Sequence, residues 1–259
     1  MKKRLGKRKP YRYLSVISFL VILALWCAIT YGGLVRPLFV PSPTAVIRQL
    51  VLGLQDGSLW LNCWASIRRV MVGWFFSALV ALPCGMLMAR SVKFTAIVQP
   101  IIEFVRYLPV VALVPLTILY TGIGEVQKYL IIWLGTFFQL VLMVCDTVAA
   151  VDKNQINAAR TLGAGRWQVY RDVIFPASLP GLMDDFRLTI GWAWTYLVVA
   201  EMVAASDGLG YIILKSQRFL ATDVIFMGLF LIGLIGLISD MIVKILTKLL
   251  VPWYKRLSD

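Results

Sequence analysis

The chain has 259 residues, 60% of them apolar and only 15% charged, with no histidine and a net charge of +13. That balance is too greasy for a soluble domain and suits a multi-span membrane protein. Without histidine or paired cysteines, metal and histidine-based chemistry have little to work with, and the placement of the cations argues against nucleic acid.

Seven of the first twelve residues are Lys or Arg, directly ahead of an uncharged stretch at 14–35. This is the positive-inside pattern of a cytoplasmic tail (1–13) feeding a first span. The stretch is too long for a signal peptide and lacks its small-x-small exit. Cys27, Cys63, Cys84 and Cys145 form no CxxC pair and read as small buried apolar residues. A proline-punctuated outer segment at 37–56 and a half-apolar helix at 59–69 lead to a second span at 70–89. The third span is irregular: residues 94–107 read as helix, then Pro109 and Pro115 interrupt the apolar run ahead of Gly122 and Gly124. Such breaks are tolerated only where protein or a cavity satisfies the freed backbone groups. A fourth span at 126–148 follows.

Residues 152–181 are too polar for lipid and too long for a simple connector. Ile156, Ala159 and Leu162 give a first helix at 154–163 an apolar stripe, and Gly163 and Gly165 supply its stop. A second amphipathic run carries Trp167, Tyr170, Val173 and Ile174 on one side. Pro176 and Pro180 are expected to break the chain before a fifth span at 182–204. From physics alone the segment either docks a partner or rests on lipid headgroups, since amphipathic helices serve both ends. A short outer helix at 208–218, a sixth span at 224–246 and a basic end at 251–259 complete the chain. Eighteen of the 26 cations fall on the inner side and seven on the outer, which puts both termini inside; Arg68 and Arg69 violate the rule. The Gly228, Gly233 and Gly236 spacing reads as ordinary helix packing rather than a dimer seam.

Charges inside spans are costly, by about 2.5–3.5 kcal/mol on insertion scales, so they must face protein or water. Glu103 and Arg106 are three apart on one helical face, which lets them satisfy each other. Glu201 has no base nearby in sequence and needs a partner across a helix interface, as a structural lock or as a gate element.

The spacing Ala158-Ala159, Gly163, Val173, Phe175-Pro176 resembles the cytoplasmic signature loop of ABC-importer permeases, EAA, three residues, G, nine residues, I-x-L-P. Asn157 stands for the usual Glu, Val173 for Ile and Phe175 for Leu. Segments 106–128, 179–194 and 200–213 resemble the nitrate/taurine/sulfonate branch, with Asp185 where that branch has Gly. The resemblance implies an all-α, polytopic chain of about six transmembrane helices with the MetI-like fold of type I importers, one domain at 14–250. It implies the bacterial inner membrane, both termini cytoplasmic, and import of a small anion of the nitrate, sulfonate, taurine or bicarbonate class. It also implies three partners: a separate ATPase holding ATP and magnesium, a second permease copy in a homodimer, and an extracytoplasmic substrate-binding protein. No cofactor is expected on this chain, which has no GxxxxGK[ST] loop. Coupling to the ATPase falls to Asn157, Ala158, Ala159, Leu162, Gly163 and Pro176, and the pathway or its gates to Arg106, Pro109, Pro115, Trp194 and Glu201. The alternatives are an ATP-independent secondary transporter or channel, which would rely on Glu201, and a membrane-embedded enzyme, for which no paired carboxylates sit at matched depth.

Overall fold

The structure is a computed structural model that describes residues 12–253. Most of the basic tail, and Lys255 and Arg256, lie outside the described residues. The rest is helical, with no strand among the described residues.

Helix α1 (Arg12–Tyr31) leads to α2 (Pro43–Gln55), α3 (Ser58–Arg90), α4 (Val92–Arg106), α5 (Val110–Thr121) and α6 (Glu125–Ala149). After α7 (Lys153–Thr161) and the short α8 (Arg166–Gln168) comes a π-helical turn (Val169–Ile174), then α9 (Phe175–Ala204), α10 (Leu209–Arg218) and α11 (Thr222–Leu250). Two of the expected outer pieces change shape. The segment at 37–56 is largely helical, because Ser42 caps α2 through the Ala45 amide and Pro43 sits in its first turn, where a missing N–H costs nothing. The half-apolar helix and the second span fuse into one 33-residue helix, α3.

The centre of the bundle is α3 against α6 and α6 against α9. Lipid is as apolar as leucine, so such helices associate through close packing rather than through water exclusion. Glycine allows it: a Cβ on Gly73 would lie 2.8 Å from Ile132, and one on Gly85 would lie 2.6 Å from the Val141 carbonyl. One core cluster joins Val70, Ile132, Ile190, Ala193, Trp194, Leu197 and Val243; a second joins Ala81, Met88, Ile102, Leu140, Val144 and Leu182. Outward, Phe75, Phe76 and Leu79 of α3 and Leu234, Leu237, Ile238 and Met241 of α11 are exposed. So large an apolar surface suits hydrocarbon, not water. Among the described residues α3, α6 and α11 are long and apolar enough to cross a membrane, and α4 with α5 makes a bent fourth. α1 contributes a shorter apolar helix, and α9 carries Asp184, Asp185, Arg187 and Glu201 within its length.

The bend between α4 and α5 is 101°. Pro109 sits at its corner as the cap of α5, and a proline disfavours the helical region for the residue before it. Pro115 makes no second break; it lies inside α5. Pro176 and Pro180 do not break the chain either. Pro176 occupies the first turn of α9 and Pro180 its interior. Pro176 has no N–H to offer the preceding turn, and the ladder adjusts by widening: the Phe175 N–H reaches the Tyr170 carbonyl, five residues back. The expected apolar cysteines are all free and half-buried.

Candidate functional site

Three places carry polar groups that the packing does not require. The first lies at the end of the bundle where α3 and α6 begin and α9 ends. Arg69, 1% exposed, is one turn beyond Ser66 and two beyond Asn62 on the same face of α3. Its guanidinium donates to Glu125 of α6 (2.6 Å), to Glu201 of α9 (2.8 Å), and to the carbonyl (2.9 Å) and carboxylate of Asp207. Lys128 reaches the same Glu125 at 2.8 Å, and Arg68 at 3.0 Å. Glu201, fully buried, accepts further hydrogen bonds from the Ser66 hydroxyl (2.8 Å) and the Gly210 amide (2.7 Å). The loop after α9 folds over this carboxylate at Gly208, φ +106°, where a Cβ would overlap Glu201, while Asn62 accepts the Gly208 amide at 2.7 Å. Burying one carboxylate is tolerable here because α3 and the first turn of α10 supply its donors. Glu201 thus has the cross-helix partner its sequence position demanded, and Arg69, at odds with the expected charge asymmetry, is buried and paired. A hollow of about 710 Å³ opens beside the cluster, with Asp56, Asn62, Arg68, Asp207 and Lys215 on its walls.

The second place is a cavity of about 340 Å³ at the broken span. Arg106, Gln139, Thr195 and Tyr196 bring polar groups to it from α4, α6 and α9. Gly135 lets α9 come close: a Cβ there would overlap the Tyr196 ring. The expected Glu103–Arg106 pair does not form. Glu103 accepts from Gln99, one turn back, at 2.7 Å, and Arg106 stacks over Tyr107, 4.9 Å from the ring centroid, and donates to its hydroxyl at 3.0 Å. Among the described residues Arg106 has no ion pair. Pro109 shapes the corner beside the cavity, whereas Pro115 and Trp194 do not line it; Trp194 is 4% exposed and donates to Ser239 of α11 at 3.3 Å.

The third place is the opposite end of the bundle, where α3 and α6 finish. Asp152 caps α7 by accepting the Asn154 amide at 2.9 Å. No residue of α7 is fully buried. Ile156 and Ala159 are half-buried, while Asn157, Ala158 and Leu162 are exposed, Leu162 at 88%. Gly163, φ +84°, ends the helix, with the Ala164 amide returning to the Ala159 carbonyl at 3.0 Å. Tyr170 packs below, 5.8 Å from the Arg90 guanidinium and stacked on Trp167. Burial pushes the Tyr170 phenol up, against the opposing effect of Arg90, so it stays neutral.

The residues that sequence reasoning missed are Asn62, Ser66, Glu125 and Asp207. Glu125 opens α6 next to a glycine-containing break and reads there as an ordinary helix-start acid; only the topology shows it facing Arg69.

Residues 81–256 match the sequence profile of the family described as "Binding-protein-dependent transport system inner membrane component". The chain is 35% identical to the taurine transport system permease protein TauC of Escherichia coli (strain K12), over 93% of this chain and 90% of that protein. It is 30% identical to a putative aliphatic sulfonates transport permease protein, SsuC, of Bacillus subtilis (strain 168), over 98% and 92%, and 26% identical to the nitrate import permease protein NrtB of Synechocystis sp. (strain ATCC 27184 / PCC 6803 / Kazusa), over 91% and 88%. The fold is similar to that of a chain of the MetNI methionine ABC transporter solved in inward-facing conformations, with a TM-score of 0.61 at 24% identity over 72% of this chain and 96% of that one. The profile covers more than half of the chain and the taurine relative nearly all of it, so the chain belongs to the binding-protein-dependent transport system inner membrane components and is a non-catalytic permease subunit of an ABC importer.

Proposed function

We propose that this permease carries a small sulfonate or a similar oxyanion inward through the cavity at the broken span, driven by a separate ATPase that binds ATP and magnesium and seats on α7. The substrate class rests on the taurine, sulfonate and nitrate relatives, and on Arg106, a cation at the cavity with no carboxylate paired to it. The whole path needs two copies of this chain and an external binding protein, which would meet the outer hollow beside Asp207. In this reading both termini and the 152–181 loop lie in the cytoplasm of a bacterial cell whose inner membrane holds 14–250. Asn157, Ala158, Ala159, Leu162 and Gly163 present the coupling surface, and Pro176 sets the widened turn that joins it to α9.

One observation carries the reading. α7 stands at the end of the bundle with a 9-residue body, no fully buried residue and a large apolar side chain, Leu162, held in the open. A short helix so placed gains stability from a partner that covers it and offers that partner an apolar contact. ATP-driven closure of the ATPase then shifts the permease between two states by its differential affinity for them. Glu201 acts as a lock in this scheme; its pairing with Arg69 occupies the acid on which a secondary transporter was expected to rely.

The test is uptake and ATP hydrolysis in proteoliposomes holding permease, ATPase and binding protein, for Ala159→Trp and Gly163→Val. Gly163→Val forces a β-branched residue to a positive φ. Both should abolish taurine or nitrate uptake while the permease still folds and enters the membrane. Full uptake with the ATPase still bound would remove α7 as the coupling element.

A further inference from the structure

Between α7 and the cytoplasmic-side ends of α3 and α6 lies a cavity of about 370 Å³. Four cations line it from separate elements: Arg90 at the last turn of α3, Lys153 and Arg160 on α7, and Arg166 at the start of α8. No Asp or Glu lines it, and none of the four forms an ion pair among the described residues. Lys153, Ile156 and Arg160 share one face of α7 by their spacing and turn toward the bundle, while Asn157, Ala158 and Leu162 do not touch the cavity. All four cations are solvent-exposed, and a partner seated on the outer face of α7 does not have to cover them. Favourable placement at a helix end explains Arg90 and Arg160, each in the last turn of its helix where the dipole is negative; it does not explain Lys153, which begins α7, where the dipole repels a cation. Three guanidinium groups and one ammonium gathered round a hollow, with Tyr170 in its wall, match the oxygens of a phosphate group.

We propose that this cavity is a phosphate-binding site under the coupling helix, filled by either a phospholipid headgroup of the inner leaflet or soluble inorganic phosphate. Its occupant ties α7 to α3 and α6, so that a push on α7 reaches the bundle as one body. The site requires no ATPase, and its test is independent of the coupling role of α7.

Full-length permease in phosphatidylcholine nanodiscs is titrated with inorganic phosphate at constant ionic strength. The readout is the fluorescence of Trp167, stacked on Tyr170 at the cavity and isolated by subtracting the Trp167→Phe variant. In parallel, native mass spectrometry counts phosphatidylglycerol retained from mixed phosphatidylglycerol/phosphatidylcholine nanodiscs. Saturable phosphate binding that weakens at least roughly tenfold in Arg160→Gln/Arg166→Gln establishes a soluble-anion site. One phosphatidylglycerol per chain, lost in the same variant, establishes a headgroup site. The single variant Lys153→Gln, at an exposed side chain, repeats both arms with less risk to folding. Arg36→Gln/Arg48→Gln removes the same charge at the other end of the bundle and should change neither. The proposal is overturned if neither ligand binds, or if the two double variants weaken binding equally.

Discussion

Arg69 and Glu201, 132 residues apart in sequence, meet at 2.8 Å with side chains 1% and 0% exposed. Taking one partner from a buried pair costs about 3–5 kcal/mol, whereas replacing both with apolar groups is often close to neutral. Arg69 serves three acids and Glu201 one base, so the two residues are not equivalent. Arg69→Met should lower the thermal stability of the purified permease sharply, because Glu125, Glu201 and Asp207 are all left with less compensation. Glu201→Gln should cost less, since an amide still accepts from Ser66 or Gly210. Adding Glu201→Gln to Arg69→Met should recover part of the loss, which a double-mutant cycle on melting curves in detergent will read. Melting of Arg69→Met at the wild-type temperature would mean that the cluster locks nothing.

Gly210 provides a smaller probe of the same place. A Cβ there would meet Glu201 Cβ at 2.8 Å and its carboxylate at 3.2 Å. The Cβ is fixed to the backbone and the carboxylate is pinned by Arg69 and Ser66, so Gly210→Ala should destabilise by about 1–3 kcal/mol, the usual cost of overpacking. Gly233, in the middle of α11, has nothing within 4 Å of a Cβ, and Gly233→Ala should be neutral or stabilising by up to about 1 kcal/mol from helix propensity alone. The two melting shifts should have opposite signs, or at least differ clearly in size.

Gly135 tests whether the cavity at the broken span is a path. A methyl group there collides with the Tyr196 ring, which forms part of the wall. Gly135→Ala should push Tyr196 into the cavity and reduce uptake strongly, with ATP hydrolysis becoming independent of substrate. Gly135→Ala/Tyr196→Ala removes the obstacle and should restore part of the uptake. If the single variant transports normally while remaining folded, the path runs elsewhere.

The helices were legible because apolar runs of span length leave few alternatives, and the loop at 152–181 stood out by polarity and by the spacing around Gly163. What could not be read depends on contacts that sequence distance hides. Charge counting alone gives no reason for Arg68 and Arg69; only the topology shows that both reach Glu125 and that Arg69 also reaches Glu201. Local reasoning also failed at short range. Glu103 and Arg106 have helix spacing for an ion pair, but Gln99 lies four residues back on the same face and Tyr107 offers Arg106 both a ring and a hydroxyl. Pro176 and Pro180 were read as breaks because proline removes a hydrogen bond, yet a π turn before them absorbs the defect and the helix runs on.

Arg106 supplies the last prediction. Its charge is not neutralised by Glu103, which is engaged with Gln99, so it remains available to an anion in the cavity. Charge-assisted hydrogen bonds contribute about 1.5–3 kcal/mol, so Arg106→Gln should raise the KM for taurine or nitrate uptake by roughly tenfold or more. Arg106→Lys keeps the charge but loses the planar fork and should fall between the two. Glu103→Gln should leave KM within about twofold of wild type, since it removes no partner of Arg106 and exposed charges at a turn's distance contribute little. Measured in proteoliposomes at fixed binding-protein concentration, equal effects of Glu103→Gln and Arg106→Gln would show that the two side chains act as a pair, and Arg106 would lose its claim on the substrate.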